Sequence, residues 1–250
     1  MPITANLQPA AGGHVTVVLT VAQRESRRKR RAAAALDAAA SACNATLCFD
    51  LGSFSGMMNQ AEMAALARQM VECYGYNRRL ASPFGFAVAG LQHADSQLLE
   101  ALSVHSWEQW VLWRIAEPPW AAAAFSGKRL VYLTADAPEA LGDETFDDNL
   151  VLIIGGLVDH ASGQAGGARV GAALRVAEDA AACGAGHALH TARLPLDTFV
   201  TVRKPSLTCI ACVQILAGFA ASGAAADWGA AVREAPAMRC APLKKYVRWK

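Results

Sequence analysis

The stretch that decides the fold is Val-Leu-Ile-Ile-Gly-Gly-Leu-Val-Asp, residues 151–159. Its four leading apolar residues predict a strand that is buried on both faces of a sheet. Gly155 and Gly156 follow at once, and their missing Cβ atoms allow a sharp turn and a close approach of a ligand to the main chain. Asp159 then lies just beyond the carboxyl end of the strand, where open α/β sheets bind their ligands. A tight turn followed by a solvated carboxylate is the alternative interpretation of this stretch alone.

Strands and helices alternate on both sides of this stretch. Apolar runs predict further strands over 46–51, 84–91, 107–115, 130–134 and 192–196. Capping residues and helical spacing predict helices over 59–80, 95–103, 170–183 and 207–220. Asp136 and Pro138 together predict the start of another helix at or near Ala137. This alternation predicts a mainly parallel sheet with helices on both faces.

Composition narrows the class of protein. The 250 residues are enough for one substantial α/β domain, and no apolar run reaches the roughly 18 residues that a membrane helix needs. Seven cysteines, an odd number without regular spacing, indicate a reducing compartment. The Cys209–Cys212 pair falls in a predicted apolar helix, which favours packing over redox or zinc chemistry, and His187 and His190 lack a third ligand. No metal site is therefore predicted.

Basic side chains are concentrated near the two ends of the chain. Residues 24–31 contain six basic side chains and one acid, and residues 239–250 contain five basic side chains and no acid. The body between them carries more acids than bases, an arrangement typical of proteins that bind a polyanion at their edges, although solvated tails or an import signal have the same composition. We expect a basic leader over 1–45, partly helical or disordered, a single α/β domain over 46–232 and a basic C-terminal tail over 233–250.

An ordered set of motifs points to one family. These are FDLGSFSGMM (49–58), YGYNRR (74–79), VYLTADAP (131–138), IIGGLVD (153–159), TARLPLD (191–197) and KPSLT (204–208). In their order and spacing they resemble the Trm10 family of tRNA purine-N1 methyltransferases, a branch of the SPOUT superfamily. The resemblance covers about residues 46–232.

The resemblance implies a SPOUT fold, in which a parallel sheet is flanked by helices and the C-terminal segment forms a trefoil knot. It also implies methylation of N1 of a purine, guanine before adenine, at position nine of tRNA, with S-adenosylmethionine as cofactor and a monomeric enzyme. Asp159 matches the proposed catalytic aspartate of the family, as a base or as a group that orients the purine. The implied cofactor contacts are Leu133, Thr134, Gly155, Gly156, His160, Arg193, Leu194, Pro195, Leu207 and Thr208.

Basic residues provide the expected contacts to tRNA phosphates, which position the RNA without reading its sequence. Arg78 and Arg79 belong to the matched motif YGYNRR. The other expected contacts are Arg27, Arg28, Arg30, Arg31, Lys244 and Lys245.

Two alternatives stay open at this point. The segment HASGQAGGARVG (160–171) is rich in Gly and Ala where the family carries polar and basic residues, which favours a degenerate relative that binds structured RNA without methylating it. A Rossmann-type nucleotide-binding enzyme is less well supported, because only Gly52 and Gly56 follow the first predicted strand. We expect a nuclear or cytoplasmic protein, with mitochondrial import as an alternative because the first 24 residues contain no acid.

Overall fold

The computed structural model describes most of the predicted domain and short parts of the two ends. The described residues are 7–9, 15–17, 45–142, 146–157, 172, 175–176, 178, 180, 189–202, 207–223, 227–239 and 247–249. Most of the predicted basic leader and residues 158–171, which include Asp159 and His160, lie outside them. The trefoil knot stays a prediction.

A six-stranded parallel sheet forms the centre of the fold. Its strands are β3 (Thr46–Asp50), β4 (Gly85–Ala89), β5 (Trp113–Arg114), β6 (Arg129–Leu133), β7 (Leu150–Gly155) and β8 (Leu189–Ala192), in the order β5-β4-β3-β7-β6-β8. Two small antiparallel pairs lie outside this sheet, β1 (Leu7–Pro9) with β2 (Val15–Val17), and β9 (Val200–Val202) with β10 (Val247–Trp249). The predicted parallel α/β architecture is confirmed.

Five described helices accompany the sheet. They are α1 (Gln60–Asn77), α2 (Ser96–Ser103), α3 (Cys209–Ala221), α4 (Trp228–Glu234) and α5 (Pro236–Arg239). Residues 172, 175, 176, 178 and 180 are also helical, within the helix predicted over 170–183.

Both faces of the sheet are covered, as the continuous apolar runs predict. Along β3, Leu47 and Phe49 point into one core cluster, which also contains buried side chains of α1 to α5. Cys48 points to the opposite face, where it packs with Tyr132 of β6 and Ile153 of β7. Strand β7 is almost entirely inaccessible to solvent from Leu150 to Ile154, and this confirms its predicted burial on both faces.

Three predicted elements differ from the observed ones. The Trp-rich stretch 107–115 is a 3-10 turn at Trp107–Gln109 followed by the two-residue strand β5. Trp107 and Trp110 both pack against the same core cluster, whereas residues three apart in a strand would point to opposite faces. No helix starts near Ala137 among residues 134–142, where Ala140 forms an isolated bridge with Arg193. The strand predicted over 192–196 is β8, which ends at Ala192.

Helix α1 is fixed at both ends by asparagines. The Asn59 side chain accepts a hydrogen bond from the Glu62 N–H at 3.0 Å, and the Glu62 carboxylate accepts one from the Asn59 N–H at 2.9 Å, which forms a capping box. At the other end the buried Asn77 amide donates to the Phe84 carbonyl and accepts from the Phe84 N–H, both at 2.9 Å. Asn77 thereby fixes the end of α1 to the residue that precedes β4.

We predict that Asn77→Ala lowers the free energy of unfolding by about 2–4 kcal/mol, because it leaves two buried main-chain groups of Phe84 without partners. Urea unfolding measures the loss. Gln60→Ala, at an exposed position in the first turn of the same helix, serves as the control and should change the free energy by less than about 0.5 kcal/mol. Equal effects of the two substitutions would contradict this role of Asn77.

Candidate functional site

The carboxyl ends of the parallel strands meet at one edge of the sheet. Asp50 at the end of β3 is in register with Gly155 of β7 and with Ala89 of β4. Leu133 at the end of β6 is in register with Ile154 and with Ala192. The chain leaves β3 towards β4 and leaves β7 towards β8, in opposite directions. A divergence of this kind between neighbouring strands marks the ligand crevice of open α/β sheets.

The loops after β6 and β8 are joined by hydrogen bonds. The Thr134 N–H donates to the Ala192 carbonyl at 3.0 Å, and main-chain bonds connect Arg193 with Glu139 at 2.9 Å and with Leu141 at 2.7 Å. The Arg193 guanidinium donates to the carbonyls of Ala137 and Pro138. Arg193 therefore holds the loop after β6 against the loop after β8, and this contact explains why the predicted helix near Ala137 does not form.

The Arg193 side chain also pairs with a carboxylate. Its Nε lies 3.4 Å from the Asp197 carboxylate, which is largely exposed. A pair of this kind contributes little to stability by itself. The carbonyl contacts of the same guanidinium are the larger constraint, because they connect segments more than 50 residues apart in sequence.

Close packing within the chain requires glycine at both positions of the glycine pair. A Cβ on Gly156 would lie 2.7 Å from the Asp50 carbonyl oxygen, and a Cβ on Gly155 would lie 2.8 Å from Cε2 of Phe54. The Gly156 N–H donates to that same Asp50 carbonyl at 2.8 Å. Close contact with the end of β3 and the loop after it therefore explains why both positions are glycine. Contact with a ligand stays a prediction for both glycines.

A buried carboxylate that the sequence interpretation did not include lies below this loop. Asp50 has no exposed surface, and its Oδ1 accepts hydrogen bonds from the N–H groups of Gly52 and Ser53, each at 3.2 Å. Its Oδ2 accepts one from the Tyr132 hydroxyl at 2.9 Å. The acid directly at the end of an apolar run was the available signal for Asp50. Tyr132 gave no such signal, because it is 82 residues away in sequence.

Burial changes the proton affinity of both partners. It raises the pKa of the Asp50 carboxyl above its ordinary value, while hydrogen bonds from Ser53, Tyr132 and Gly52 oppose this rise. Burial, together with the neighbouring carboxylate, raises the pKa of Tyr132 well above its ordinary value. Tyr132 consequently stays a hydrogen-bond donor throughout the working range of pH.

The predicted residues Leu207 and Thr208 lie at the start of α3. The Thr208 side chain caps this helix by accepting from the Ala211 N–H at 3.3 Å, and the Cys209 N–H donates to Oε1 of Gln69 on α1 at 2.8 Å. Leu207 is half-buried and packs against the same core cluster as Leu133 and Leu157.

Other predicted residues lie away from these loops or outside the described residues. Arg78 and Arg79 are exposed just beyond the end of α1. The end of α1 is joined to Phe84, which precedes β4, so these arginines lie near the amino edge of the sheet, at least the length of a five-residue strand, about 16 Å, from the strand-end loops. Arg78 lies over the Tyr74 ring, 5.5 Å from its centroid. The predicted residues outside the described part are Asp159, His160, Arg27, Arg28, Arg30, Arg31, Lys244 and Lys245.

The described thiols are packed side chains. Burial raises the pKa of both Cys209 and Cys212 to about 12, which keeps the thiols protonated and unreactive near neutral pH. Within the described ranges, no three His, Cys, Asp or Glu side chains form a group that could hold a metal ion. No helix of the described part is long and apolar enough to cross a membrane.

The architecture corresponds to the SPOUT class of methyltransferase folds as it occurs in Trm10 structures. The crystal structure of full-length spTrm10 in complex with SAH matches with a TM-score of 0.59 at 21% identity, over 76% of this chain and 94% of that one. A dual specific Trm10 from Thermococcus kodakaraensis matches with a TM-score of 0.55 at 19% identity, over 76% and 98% of the two chains. At these identities the two structures establish the fold alone.

The sequence defines the family within this class. The family model described as tRNA (guanine(9)-N(1))-methyltransferase TRM10/TRM10A matches residues 15–239, and the chain therefore belongs to the TRM10 family of tRNA methyltransferases. The resemblance inferred from the motifs is confirmed.

Curated relatives of the family match over part of their length. tRNA methyltransferase 10 homolog B of Danio rerio is 31% identical over 48% of this chain and 38% of its own length. Homolog C of Xenopus tropicalis is 30% identical over 76% of this chain and 39% of its own length. The chain spans about two fifths of the length of these relatives.

We predict a pH-dependent contribution of Asp50 to stability. Since burial raises its pKa in the folded state, the carboxyl contributes most below its unfolded-state pKa, and this contribution is lost as pH rises through the folded-state pKa. The free energy of unfolding of the wild type should therefore fall relative to that of Asp50→Asn as pH rises from about 4 through the folded-state pKa, by about 1.4 kcal/mol for each unit of pKa difference between the two states. Urea titrations at several pH values measure this difference. A constant difference across the range would contradict the prediction.

Proposed function

We propose that this chain methylates N1 of the purine at position nine of tRNA, with guanine preferred over adenine and S-adenosylmethionine as the methyl donor. The match of residues 15–239 to the TRM10/TRM10A family is the observation that carries this proposal. The joined loops at the carboxyl edge of the sheet support it, because they offer main-chain groups and apolar side chains at one location. We also propose that the enzyme acts as a monomer.

The described residues at this edge and at the start of α3 fit the cofactor. Leu133, Leu157 and Leu207 are half-buried, so each keeps apolar surface that an adenine ring can cover. Thr134 and Pro195 are also half-buried. These residues, together with Gly155, Arg193 and Leu194, would hold the cofactor mainly through main-chain contacts. When bound, S-adenosylmethionine supplies an electrophilic methyl group.

The role of the protein in this reaction is mainly positioning. Attack by a ring nitrogen on a methyl group is an in-line displacement, and correct alignment of the two partners lowers its barrier by several kcal/mol. N1 of guanine also carries a proton that must leave during the reaction. We assign Asp159, three residues beyond the glycine pair, either to accept that proton or to orient the purine by a hydrogen bond.

Basic residues away from the strand-end loops suit the size of tRNA. The target N1 lies on the Watson–Crick edge of the base, so the purine must leave its stack to reach the loops, while the rest of the tRNA stays outside. Arg78 and Arg79 lie about one strand length from the loops, a distance that suits contacts with phosphates and not with the reacting base. Arg27, Arg28, Arg30, Arg31, Lys244 and Lys245 are proposed to extend this phosphate-binding surface.

Methyl transfer to unmodified tRNA transcripts tests the proposed function. Transcripts with G or A at position nine are incubated with radiolabelled S-adenosylmethionine, and the nucleosides are then separated. We expect label in N1-methylguanosine from the G9 transcript and less in N1-methyladenosine from the A9 transcript. A transcript with a pyrimidine at position nine is the matched control. Binding of tRNA without any transfer would favour the degenerate RNA-binding relative.

For Asp159→Asn we predict a loss of at least about tenfold in the single-turnover rate of methyl transfer, because the amide cannot accept the N1 proton and offers a single acceptor to the purine. The affinity for tRNA should change by less than about twofold, which filter binding measures. An equal loss of rate and affinity would mean that Asp159 maintains the structure.

For the double variant Arg78→Gln/Arg79→Gln we predict weaker tRNA binding and a less steep dependence on salt. Each phosphate contact that is removed lowers the slope of log K against log salt concentration by about one. Arg68→Gln, at an exposed position on the same helix, is the matched control and should leave the slope unchanged. A wild-type slope in the double variant would remove both arginines from the set of phosphate contacts.

A further inference from the structure

Asp50 is a buried carboxylate for which the proposed reaction has no role so far. Its hydrogen-bond donors among the described residues are neutral: the N–H groups of Gly52 and Ser53, the side chain of Ser53 and the hydroxyl of Tyr132. Burial of a carboxylate without a positively charged partner costs free energy, and an apolar residue at the end of β3 would avoid this cost. This cost indicates that the carboxylate has a function that an apolar side chain cannot supply.

The donors belong to two segments of the site. Gly52 and Ser53 start the loop between β3 and α1, and the carboxylate holds them in a tight turn at the end of the strand. Tyr132 comes directly before Leu133 and Thr134, the predicted cofactor contacts at the end of β6. Asp50 thus connects the loop after β3 with the end of β6 through a single side chain.

The same loop forms the surface on which the glycine pair lies. Phe54 occupies the space that a Cβ on Gly155 would need, and the Asp50 carbonyl accepts the Gly156 N–H at 2.8 Å. The Tyr132 hydroxyl lies 3.3 Å from the position of the same Cβ. The Asp50 side chain therefore fixes the neighbours of Gly155 and Gly156 on two sides.

The side of this loop that faces β4 lies equally close to Gly90. A Cβ on Gly90, whose φ is +75°, would lie 2.8 Å from the Gly52 nitrogen and 3.2 Å from Oδ1 of Asp50. The loop after β3 therefore packs directly against Gly90, with no room for a side chain between them. The Asp50 carboxylate and Gly90 both restrict this loop.

We propose that Asp50 is a positioning residue of the cofactor site, which acts by holding Tyr132 and the loop after β3 so that Gly155, Gly156 and Leu133 present their main-chain groups to S-adenosylmethionine. This inference rests on the proposed function, because it assigns the strand-end loops to the cofactor. In this role Asp50 does not touch the cofactor, and it nevertheless sets the affinity of the site for the cofactor.

Product binding by the full chain tests this assignment. The probe is S-adenosylhomocysteine, titrated by calorimetry into the wild type, Asp50→Asn, Tyr132→Phe and the double variant. We expect each single variant to raise the Kd about tenfold. The fold loss of affinity in the double variant should be smaller than the product of the two single-variant losses, because the two substitutions remove the same hydrogen bond. The KM for S-adenosylmethionine should rise in parallel, while the Kd for tRNA stays within about twofold of the wild type.

Cys48→Ala is the matched control for a purely structural effect. Cys48 is fully buried on β3, on the same face as Asp50 and two residues before it, and it belongs to the core below the loop. We expect this variant to lower the free energy of unfolding, as the others do, with an unchanged Kd for S-adenosylhomocysteine. Tyr132→Phe removes only one oxygen atom, so the comparison stays informative if Asp50→Asn fails to fold.

Three results would overturn the proposal. Wild-type Kd values in both single variants would show that the side-chain contact is irrelevant to the cofactor site. A loss in Cys48→Ala equal to that in Tyr132→Phe would show that affinity follows stability alone. If the wild type itself does not bind S-adenosylhomocysteine, the proposed function fails together with this inference, whereas the first two results leave the proposed function intact.

Discussion

The contact between β7 and the loop after β3 is the constraint on which the site depends. The Gly156 N–H donates to the Asp50 carbonyl, and neither Gly155 nor Gly156 has room for a Cβ. Strand β7 lies between β3 and β6 and is buried on both faces, so its end cannot shift to relieve a clash. The position of Gly155, Gly156 and Leu157 at the end of the strand is therefore determined by how closely the main chains of β3 and β7 approach each other.

Side chains distant in sequence complete this arrangement. The guanidinium of Arg193 holds the loop after β6, and the carboxylate of Asp50 holds Tyr132 at the end of that strand. Each of these side chains forms several hydrogen bonds, and most of the groups that it binds are partly or fully buried. Such multiple contacts keep strand-end loops rigid, and a rigid site loses less entropy when it binds a cofactor.

The sequence predicted the features that depend on local pattern. Continuous apolar runs identified the central strands, and Asn59 and Asp95 correctly marked the starts of α1 and α2, because an N-cap acts within three residues. Long-range contacts determined where prediction failed. Asp136 and Pro138 are typical of a helix start, yet the bridge between Ala140 and Arg193 holds that segment in an irregular conformation. Asp50 could be noticed in the sequence, whereas its partner Tyr132 could not, since no local signal joins residues on different strands.

The return of α1 to the far edge of the sheet has a consequence for the proposed recognition of RNA. On the proposed assignment, with the target nucleotide at the strand-end loops and a phosphate at Arg78, the two are separated by at least the length of a five-residue strand, about 16 Å. A mononucleotide or a dinucleotide is too short to occupy both places, and only a longer folded RNA gains both contributions to binding. The geometry of one helix would then exclude the abundant free nucleotides of the cell without any contact dedicated to rejecting them.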